Sequence, residues 1–269
     1  MGFADNQISK PETSKFSLIS HVLNINRKEW PRVRVSWLIT FFFRVGFVVG
    51  WTTLTGMFVA RFGIEKLPLL FLVNGFFIIL GTLFYSDIVE KVKREWLIII
   101  TTITAAIFLF IATFFALSSN VLFFTFLLFA ESILLTQLNI LISLYREEMF
   151  SPLESERTFP IIESSETIGS IFAGLIITFG SDMIAVHKFI FVWIIALTLI
   201  VPIIFYSNSA LPKLPVFSPK RNRKQLIGET NIVQRLKKSV YHVQTIPFLK
   251  GLFLVVLLQW IFINILEFQ

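Results

Sequence analysis

The sequence predicts an all-α integral membrane protein, and three observations support this fold class. Of the 269 residues, 55% are hydrophobic and 32 are phenylalanine, and the mean hydropathy is +0.77. Several apolar runs are long enough to cross about 30 Å of hydrocarbon at about 1.5 Å per residue. Lys and Arg are concentrated in alternate connections between these runs. A soluble protein of this length needs much less apolar surface.

Seven apolar runs are candidate transmembrane helices. They cover about residues 35–60, 67–86, 96–117, 120–145, 159–184, 188–206 and 248–269. The fifth run is the weakest, because Glu163 and Glu166 restrict its uncharged part to residues 167–181. The polar N-terminus lacks the apolar segment of a secretory signal, so we expect the first run to remain in the mature protein.

The basic residues predict how these helices are oriented. Cytoplasmic loops of membrane proteins carry an excess of Lys and Arg. If the N-terminus is cytoplasmic, 20 of the 24 Lys and Arg residues fall on the cytoplasmic side, three fall outside, and Arg44 lies in the membrane. We therefore expect a multi-pass protein with a cytoplasmic N-terminus. The same asymmetry explains the net charge of +7 without nucleic acid as a partner.

The polar segments divide the chain into four predicted parts. Residues 1–34 form a cytoplasmic N-terminus with an interfacial helix, because apolar residues are mixed there with Lys, Arg and Trp. Residues 35–206 form six membrane helices. Residues 207–247 form a basic cytoplasmic linker, whose prolines and charges cannot enter lipid. Residues 248–269 form the seventh helix. Six helices followed by a long basic loop and a further helix are typical of transporters built from two six-helix halves.

Two opposite charges are predicted to meet inside the membrane. Arg44 lies about 14 Å past the inner boundary of the first helix, and Glu131 lies about 16 Å from the outer boundary of the fourth. Because an intramembrane charge costs about 2.5 to 3.5 kcal/mol, it usually faces a cavity or a partner. We expect Arg44 and Glu131 to face the interior and to neutralise one another in at least one state. Extension of the arginine toward the interface is the alternative.

A polar stripe extends from Arg44 along the first helix. At about 100° per residue, Trp51 and Thr55 lie within about 20° of the Arg44 direction, and Thr52 lies about 80° away. Such a stripe suits the wall of a cavity for a polar or anionic solute, with Arg44 as the charge anchor. Threonines bonded to carbonyl groups of their own helix are the alternative.

Three amide side chains are further candidates for contact with a substrate. Gln259 lies about 16 Å into the seventh helix, Asn74 lies in the second helix, and Asn139 lies in the fourth. Amides also form hydrogen bonds between helices, and this alternative stays open for each of them.

The sequence predicts neither an enzyme nor a cofactor or metal site. The chain has no cysteine, which excludes thiolate ligands and cysteine nucleophiles. Its three histidines show no metal-ligand spacing, and no G-x-x-x-x-G-K-[ST] phosphate loop is present. A built-in ATPase motor is therefore not expected.

Five segments carry a family resemblance. They are NINRKEWPRV, RFGIEKLPLLFLVNG, LFYSDIVEKVKREWLI, SLYREEMFSPLESERTFPIIESSETIGSIFAGLI and RLKKSVYHVQTIPFLKGLFLVVLLQWIFINILEFQ. Their order and spacing resemble the bacterial and plastid ATP/ADP translocase family, a branch allied to the major facilitator superfamily. The similarity covers most of residues 24–269.

The resemblance implies the N-terminal six-helix half of a facilitator-type transporter plus helix 7. Such a chain would be a truncated twelve-helix carrier, or half of a split carrier whose second half is a separate chain. A complete seven-helix protein, such as a receptor, is the alternative. The family implies a carrier of the bacterial inner membrane that exchanges ATP, ADP or similar nucleotides by alternating access. In that fold helices 1, 4 and 7 line the cavity, where Arg44, Glu131 and Gln259 fall.

The resemblance also implies a gating segment between helices 2 and 3. The loop with Glu90, Lys91 and Arg94 resembles the charged latch between helices 2 and 3 of facilitators, and a positive-inside turn is the alternative.

Nucleotide-exchanging members of the family carry basic residues in the outer half of helix 1, where this chain has WTTLTG. Arg44 is therefore the cation that remains in helix 1. A triphosphate needs several cations or donors to replace its water. The resemblance implies an ATP/ADP-like nucleotide as the substrate, and this departure leaves a related anionic metabolite open.

Two other functions stay open at this point. One is a proton-coupled carrier of a neutral or weakly charged solute, with Glu131 protonated during the cycle. The other is a membrane scaffold or sensor that transports nothing, whose basic linker, residues 220–224, docks a cytoplasmic partner or anionic lipid.

Overall fold

The structure, a computed structural model, describes residues 25–26, 28–89, 92–116, 120–210 and 245–267. Every regular element within these ranges is helical, as the sequence predicts. Six helices of this described part are long and apolar enough to cross a membrane, which is the architecture of a multi-pass membrane protein. The chain divides into two compact units, Met1–Phe217 and Ser218–Gln269. Residues 1–24 and 211–244, which contain most of the predicted interfacial helix and linker, lie outside the described residues.

Helix α1 (Trp30–Phe62) has 33 residues and extends the predicted span 35–60 at both ends. Pro31 lies in its first turn, where the missing N–H costs no helical hydrogen bond. Residues 30–34 form the first turn of α1. Gly63 ends α1 with a φ of +84°, a conformation that only glycine adopts without strain.

The next three helices follow the predicted order. A short 3-10 turn leads into α2 (Leu67–Val89), and α3 spans Arg94–Phe115. Helix α4 runs from residue 120 to residue 149 and is α-helical except for a π-helical segment, Phe129–Leu135. Single π-helical turns inside α-helices occur frequently at functional sites.

Helix α5 (Pro152–Gly180) begins seven residues before the predicted fifth span. Its start is fixed by a capping box, in which the Ser151 hydroxyl accepts from the Glu154 backbone N–H and the Glu154 carboxylate accepts from the Ser151 backbone N–H. Helix α6 comprises Phe189–Thr198 and Ile200–Ala210, joined at Leu199.

The second unit contains one described helix, α7 (Pro247–Glu267), over most of the predicted seventh span.

The core of the first unit forms around an indole ring between α1 and α6. Trp193 of α6 is fully buried and packs against Gly46 and Gly50 of α1. A Cβ atom at Gly50 would lie 2.2 Å from Trp193 Cε2, which is well inside van der Waals contact. The glycine spacing in α1 thus serves close helix packing.

Candidate functional site

Arg44 lies in the middle of α1, where that helix packs against α5. Its Nε donates a hydrogen bond to Ser170 Oγ over 2.9 Å, and its guanidinium carbon lies 5.6 Å from the centre of the Phe47 ring. The Ser170 hydroxyl in turn donates to the carbonyl oxygen of Glu166 over 2.8 Å. One serine oxygen therefore accepts from the arginine while its own hydrogen is used within α5, so the geometry of the contact is fixed at both ends.

Gly169 allows α1 and α5 to approach closely beside this hydrogen bond. A Cβ atom at Gly169 would lie 3.1 Å from Arg44 Cβ and 3.1 Å from the carbonyl oxygen of Phe41. A Cβ atom at Gly174 would meet no atom within 4 Å. The close approach of α5 to α1 is therefore made at Gly169, beside the polar contact of Ser170, and not at Gly174.

The two outer guanidinium nitrogens of Arg44 stay available. Within the described residues they have no hydrogen-bond partner, and none of the four ion pairs includes Arg44. The side chain is half-buried, and neither nitrogen belongs to the fully buried side-chain atoms that lack a partner. Arg44 thus presents two accessible, parallel donors from the middle of a membrane-crossing helix.

Glu131 lies at a different helix interface from Arg44. It sits in the π-helical segment of α4, which packs against α2 and α3, and it is only 3% exposed. Its Oε2 lies 3.4 Å from Ser132 Oγ, and Ser132 is hydrogen-bonded to Asn74 Oδ1 of α2. The expected pair of Arg44 and Glu131 is therefore not formed in this structure. Similar depth on two helices does not determine which neighbour each residue faces.

The predicted polar stripe lies on a partly exposed face of α1. Trp51 and Thr55 are half-buried like Arg44, and Thr52 is exposed beside them. The Trp51 ring packs edge to face on Phe71 of α2, with ring centres 5.6 Å apart. Thr55 Oγ1 donates to the Trp51 carbonyl oxygen over 2.8 Å, so its hydroxyl bonds within α1, as the alternative interpretation expects.

The three predicted amides have different surroundings. Asn74 forms a hydrogen bond between helices with Ser132, and this bond joins it to Glu131. Asn139 is exposed on α4 and does not belong to the group of Asn74, Ser132 and Glu131. Gln259 lies on α7 in the second compact unit.

Arg94 connects the start of α3 with the end of α4. Its Nε forms an ion pair with Glu148 Oε1. The other two predicted gating residues, Glu90 and Lys91, lie outside the described residues.

Three ion pairs of the described residues gather where α1, α3 and α5 begin and α4 ends, and we call this region the charged end. They are Arg94–Glu148, Arg32–Glu154 at 3.0 Å and Arg157–Glu29 at 3.0 Å. A fourth pair, Arg146–Glu166 at 3.9 Å, joins the end of α4 to the middle of α5. The arginines of these four pairs are thus neutralised by carboxylates, which distinguishes them from Arg44.

Two serine contacts were not predicted from the sequence as parts of a polar site. They are the contacts of Ser170 with Arg44 and of Ser132 with Asn74. The adjacency of Ser132 to a charged residue in an apolar run is a signal that could have identified it. For Ser170 such a signal is absent, because its partner lies 126 residues away in the chain.

Comparisons of the chain with known protein families, curated proteins and solved structures gave no match. In the part of the chain that the structure describes, no group of three or more His, Asp or Glu residues could hold a metal ion.

Proposed function

We propose that the protein is a membrane carrier that binds a small anionic solute at Arg44 and moves it by alternating access. The single observation that carries this proposal is the charge of Arg44, which has no carboxylate partner among the described residues and lies halfway along a membrane-crossing helix. A cation in that position costs about 2.5 to 3.5 kcal/mol on insertion scales. A bound anion offsets this cost and supplies the missing partner.

The geometry of Arg44 favours an anion that offers two oxygens. Ser170 takes the Nε hydrogen, so the two outer nitrogens remain as a parallel pair of donors. Arginine binds carboxylate and phosphate oxygens in this two-pronged manner, and such charge-assisted bonds are about twice as strong as neutral ones. Carboxylates and phosphates are therefore the substrate classes that fit best.

Within these classes we favour exchange of an ATP/ADP-like nucleotide or a related anionic metabolite. The family resemblance of the sequence supports the nucleotide. A triphosphate needs several cations or donors to replace its water, and Arg44 is the one basic residue between Arg34 and Arg61 in α1. A mononucleotide, an organic acid or a phosphorylated metabolite needs fewer such groups and is equally compatible with Arg44.

The test is uptake by proteoliposomes that contain the protein as its full reading frame encodes it. Labelled nucleotides, organic acids and inorganic phosphate are supplied outside, with and without the same solute inside. We expect Arg44→Gln to abolish uptake and exchange, and Arg44→Lys to retain part of both because it keeps the charge but loses the paired donors. Lys188→Gln, which removes one exposed charge between α5 and α6, is the matched control. Normal anion uptake by Arg44→Gln would refute the proposal.

A second candidate function is proton-coupled transport, and the surroundings of Glu131 favour it. The carboxyl group is buried among neutral partners, and no described residue forms an ion pair with it. Acidic residues in this setting serve as proton relays in pumps and transporters. Uptake driven by a pH gradient that disappears in Glu131→Gln would favour this function over exchange.

A further inference from the structure

A groove of about 410 Å³ opens between the start of α1 and the end of α6. Arg34 and Leu38 line it on α1, and Ile203 and Tyr206 line it on α6. None of the described residues that line it is acidic. The groove shares no residue with the Arg44 site, so what it binds does not depend on the proposed transport function.

The lining residues form two levels along the helices. Arg34 and Tyr206 each lie four residues from the end of their helix, about 6 Å along its axis. Leu38 and Ile203 lie eight and seven residues from the same ends, about 11 to 12 Å along the axis. The mouth of the groove is therefore basic and polar, and its deeper part is apolar.

A basic, polar mouth followed by an apolar interior matches the headgroup and the adjoining acyl chain of a phospholipid. We propose that the groove binds one anionic phospholipid, with the headgroup phosphate at Arg34 and Tyr206 and one acyl chain along Leu38 and Ile203. The guanidinium group offers parallel donors to phosphate oxygens, and tyrosine prefers the boundary between headgroups and hydrocarbon. The Trp30 ring lies 5.3 Å from the guanidinium carbon of Arg34 and helps to orient it.

Exposure and charge together favour a lipid over another occupant. Leu38 is 38% exposed and Tyr206 59% exposed, and both belong to helices that are long and apolar enough to cross a membrane. Exposed side chains of such helices contact lipid rather than water. Basic pockets between membrane helices are known to bind anionic headgroups. A zwitterionic headgroup would bring its own cation toward Arg34, so the groove discriminates in favour of net negative charge.

Native mass spectrometry of the full chain in detergent tests this proposal. The protein is mixed with equal amounts of phosphatidylglycerol and phosphatidylcholine that carry identical acyl chains. We expect the wild type to retain more phosphatidylglycerol, and Arg34→Gln to lower that retention on the order of fivefold, as expected for one basic residue at a membrane surface. Lys28→Gln removes an exposed charge just before α1, outside the groove, and should leave the preference unchanged.

A second variant tests the apolar level of the groove. Ile203→Trp fills it at a half-buried position, so we expect lower retention of both lipids. Equal retention of the two lipids by the wild type would overturn the proposal without any substitution, so the test does not depend on a variant folding. Equal loss of phosphatidylglycerol in Arg34→Gln and Lys28→Gln would also overturn it. A lipid-free dimer mass would assign the groove to a second copy of the chain instead.

Discussion

Arg44 Nε and Ser170 Oγ lie 2.9 Å apart, and their hydrogen bond joins α1 to α5 halfway along α1. A serine hydroxyl carries no charge, so this contact orients the guanidinium group without neutralising it. Ser170 is thus a positioning residue for Arg44, and the two outer donors of the arginine are left for an anion. This relationship predicts that the two residues affect transport in different ways.

Ser170→Ala should weaken anion binding without abolishing transport. A hydrogen bond to a charged group contributes about 1.5 to 3 kcal/mol, and about 1.4 kcal/mol corresponds to a factor of ten. We expect the KM for the transported anion to rise about tenfold while kcat changes little, because the arginine keeps its charge but loses its orientation. The concentration dependence of uptake in proteoliposomes gives both parameters.

The matched control for Ser170→Ala is Ser181→Ala near the end of α5. Ser181 is exposed and donates only to the Thr178 carbonyl oxygen of its own turn, over 3.0 Å. Its substitution should leave KM unchanged. Equal KM values for the two variants would contradict a positioning role for Ser170.

Gly50→Ala should destabilise the bundle strongly. The new methyl group would lie 2.2 to 2.5 Å from three atoms of the buried Trp193 ring, so α1 or α6 must shift. Overpacking of this kind costs about 1 to 3 kcal/mol, and we expect a clearly lower unfolding temperature in detergent. Gly56→Ala is the control in the same helix, because a Cβ atom there meets nothing within 4 Å. That variant should gain about 0.5 to 1 kcal/mol, since alanine favours a helix interior over glycine.

The helices of the first unit could be predicted from the sequence because their signals are local. Run length and apolar composition are sufficient to identify α1 to α6, and only the ends differ. The largest difference is at α5, whose first turns contain Glu154, Glu156 and Arg157 and so have low hydropathy. A capping signal, Ser151 followed three residues later by Glu154, identifies the true start better than hydropathy does.

The partners within the candidate site could not be predicted in the same way. Helical periodicity gives the depth and direction of Arg44 and Glu131, but pairing depends on which helices pack side by side. In this structure Gly169 brings α5 close to α1 at Arg44, whereas the segment around Glu131 packs against α2 and α3. Which helices pack side by side depends on small residues such as glycine. Their effect is visible only when two helices that are distant in the sequence are in contact.

The ion pairs of the charged end and the pair Arg146–Glu166 should contribute unequally to stability. Arg32 makes two bonds to the Glu154 carboxylate, at 3.0 and 3.3 Å, and a third to the Met149 carbonyl oxygen at 2.7 Å, with both charged side chains largely buried. Removing one partner of such a pair leaves a poorly solvated charge. We expect Arg32→Ala to cost about 2 kcal/mol of unfolding free energy.

Arg146→Ala is the comparison for Arg32→Ala. Its partner Glu166 is 3.9 Å away, and that side chain is 42% exposed, so solvent screens the pair. Exposed pairs contribute about 0 to 1 kcal/mol, and the unfolding temperature should change little. A double-mutant cycle between Arg32→Ala and Glu154→Gln measures the coupling directly, and a coupling near zero would show that the two bonds are not formed in the membrane protein.

Glu131→Gln should leave the fold intact, because every described partner of Glu131 is neutral. The amide has the same shape, can still bond to Ser132, and removes the cost of placing a carboxylate in an apolar interior. We expect an unfolding temperature equal to or above that of the wild type. Glu131→Ala should lower it, because it leaves a cavity in a buried part of the helix bundle.

The same Glu131→Gln variant separates the two transport mechanisms. If anion exchange depends on Arg44 alone, exchange continues in this variant, whereas uptake driven by a pH gradient stops if Glu131 carries the proton. Glu163→Gln, at an exposed position of α5, is the control for loss of one carboxylate and should change neither activity. A Glu131→Gln protein that unfolds at a much lower temperature than the wild type would contradict the neutral surroundings, because it would show that the carboxylate has a cationic partner in the folded protein.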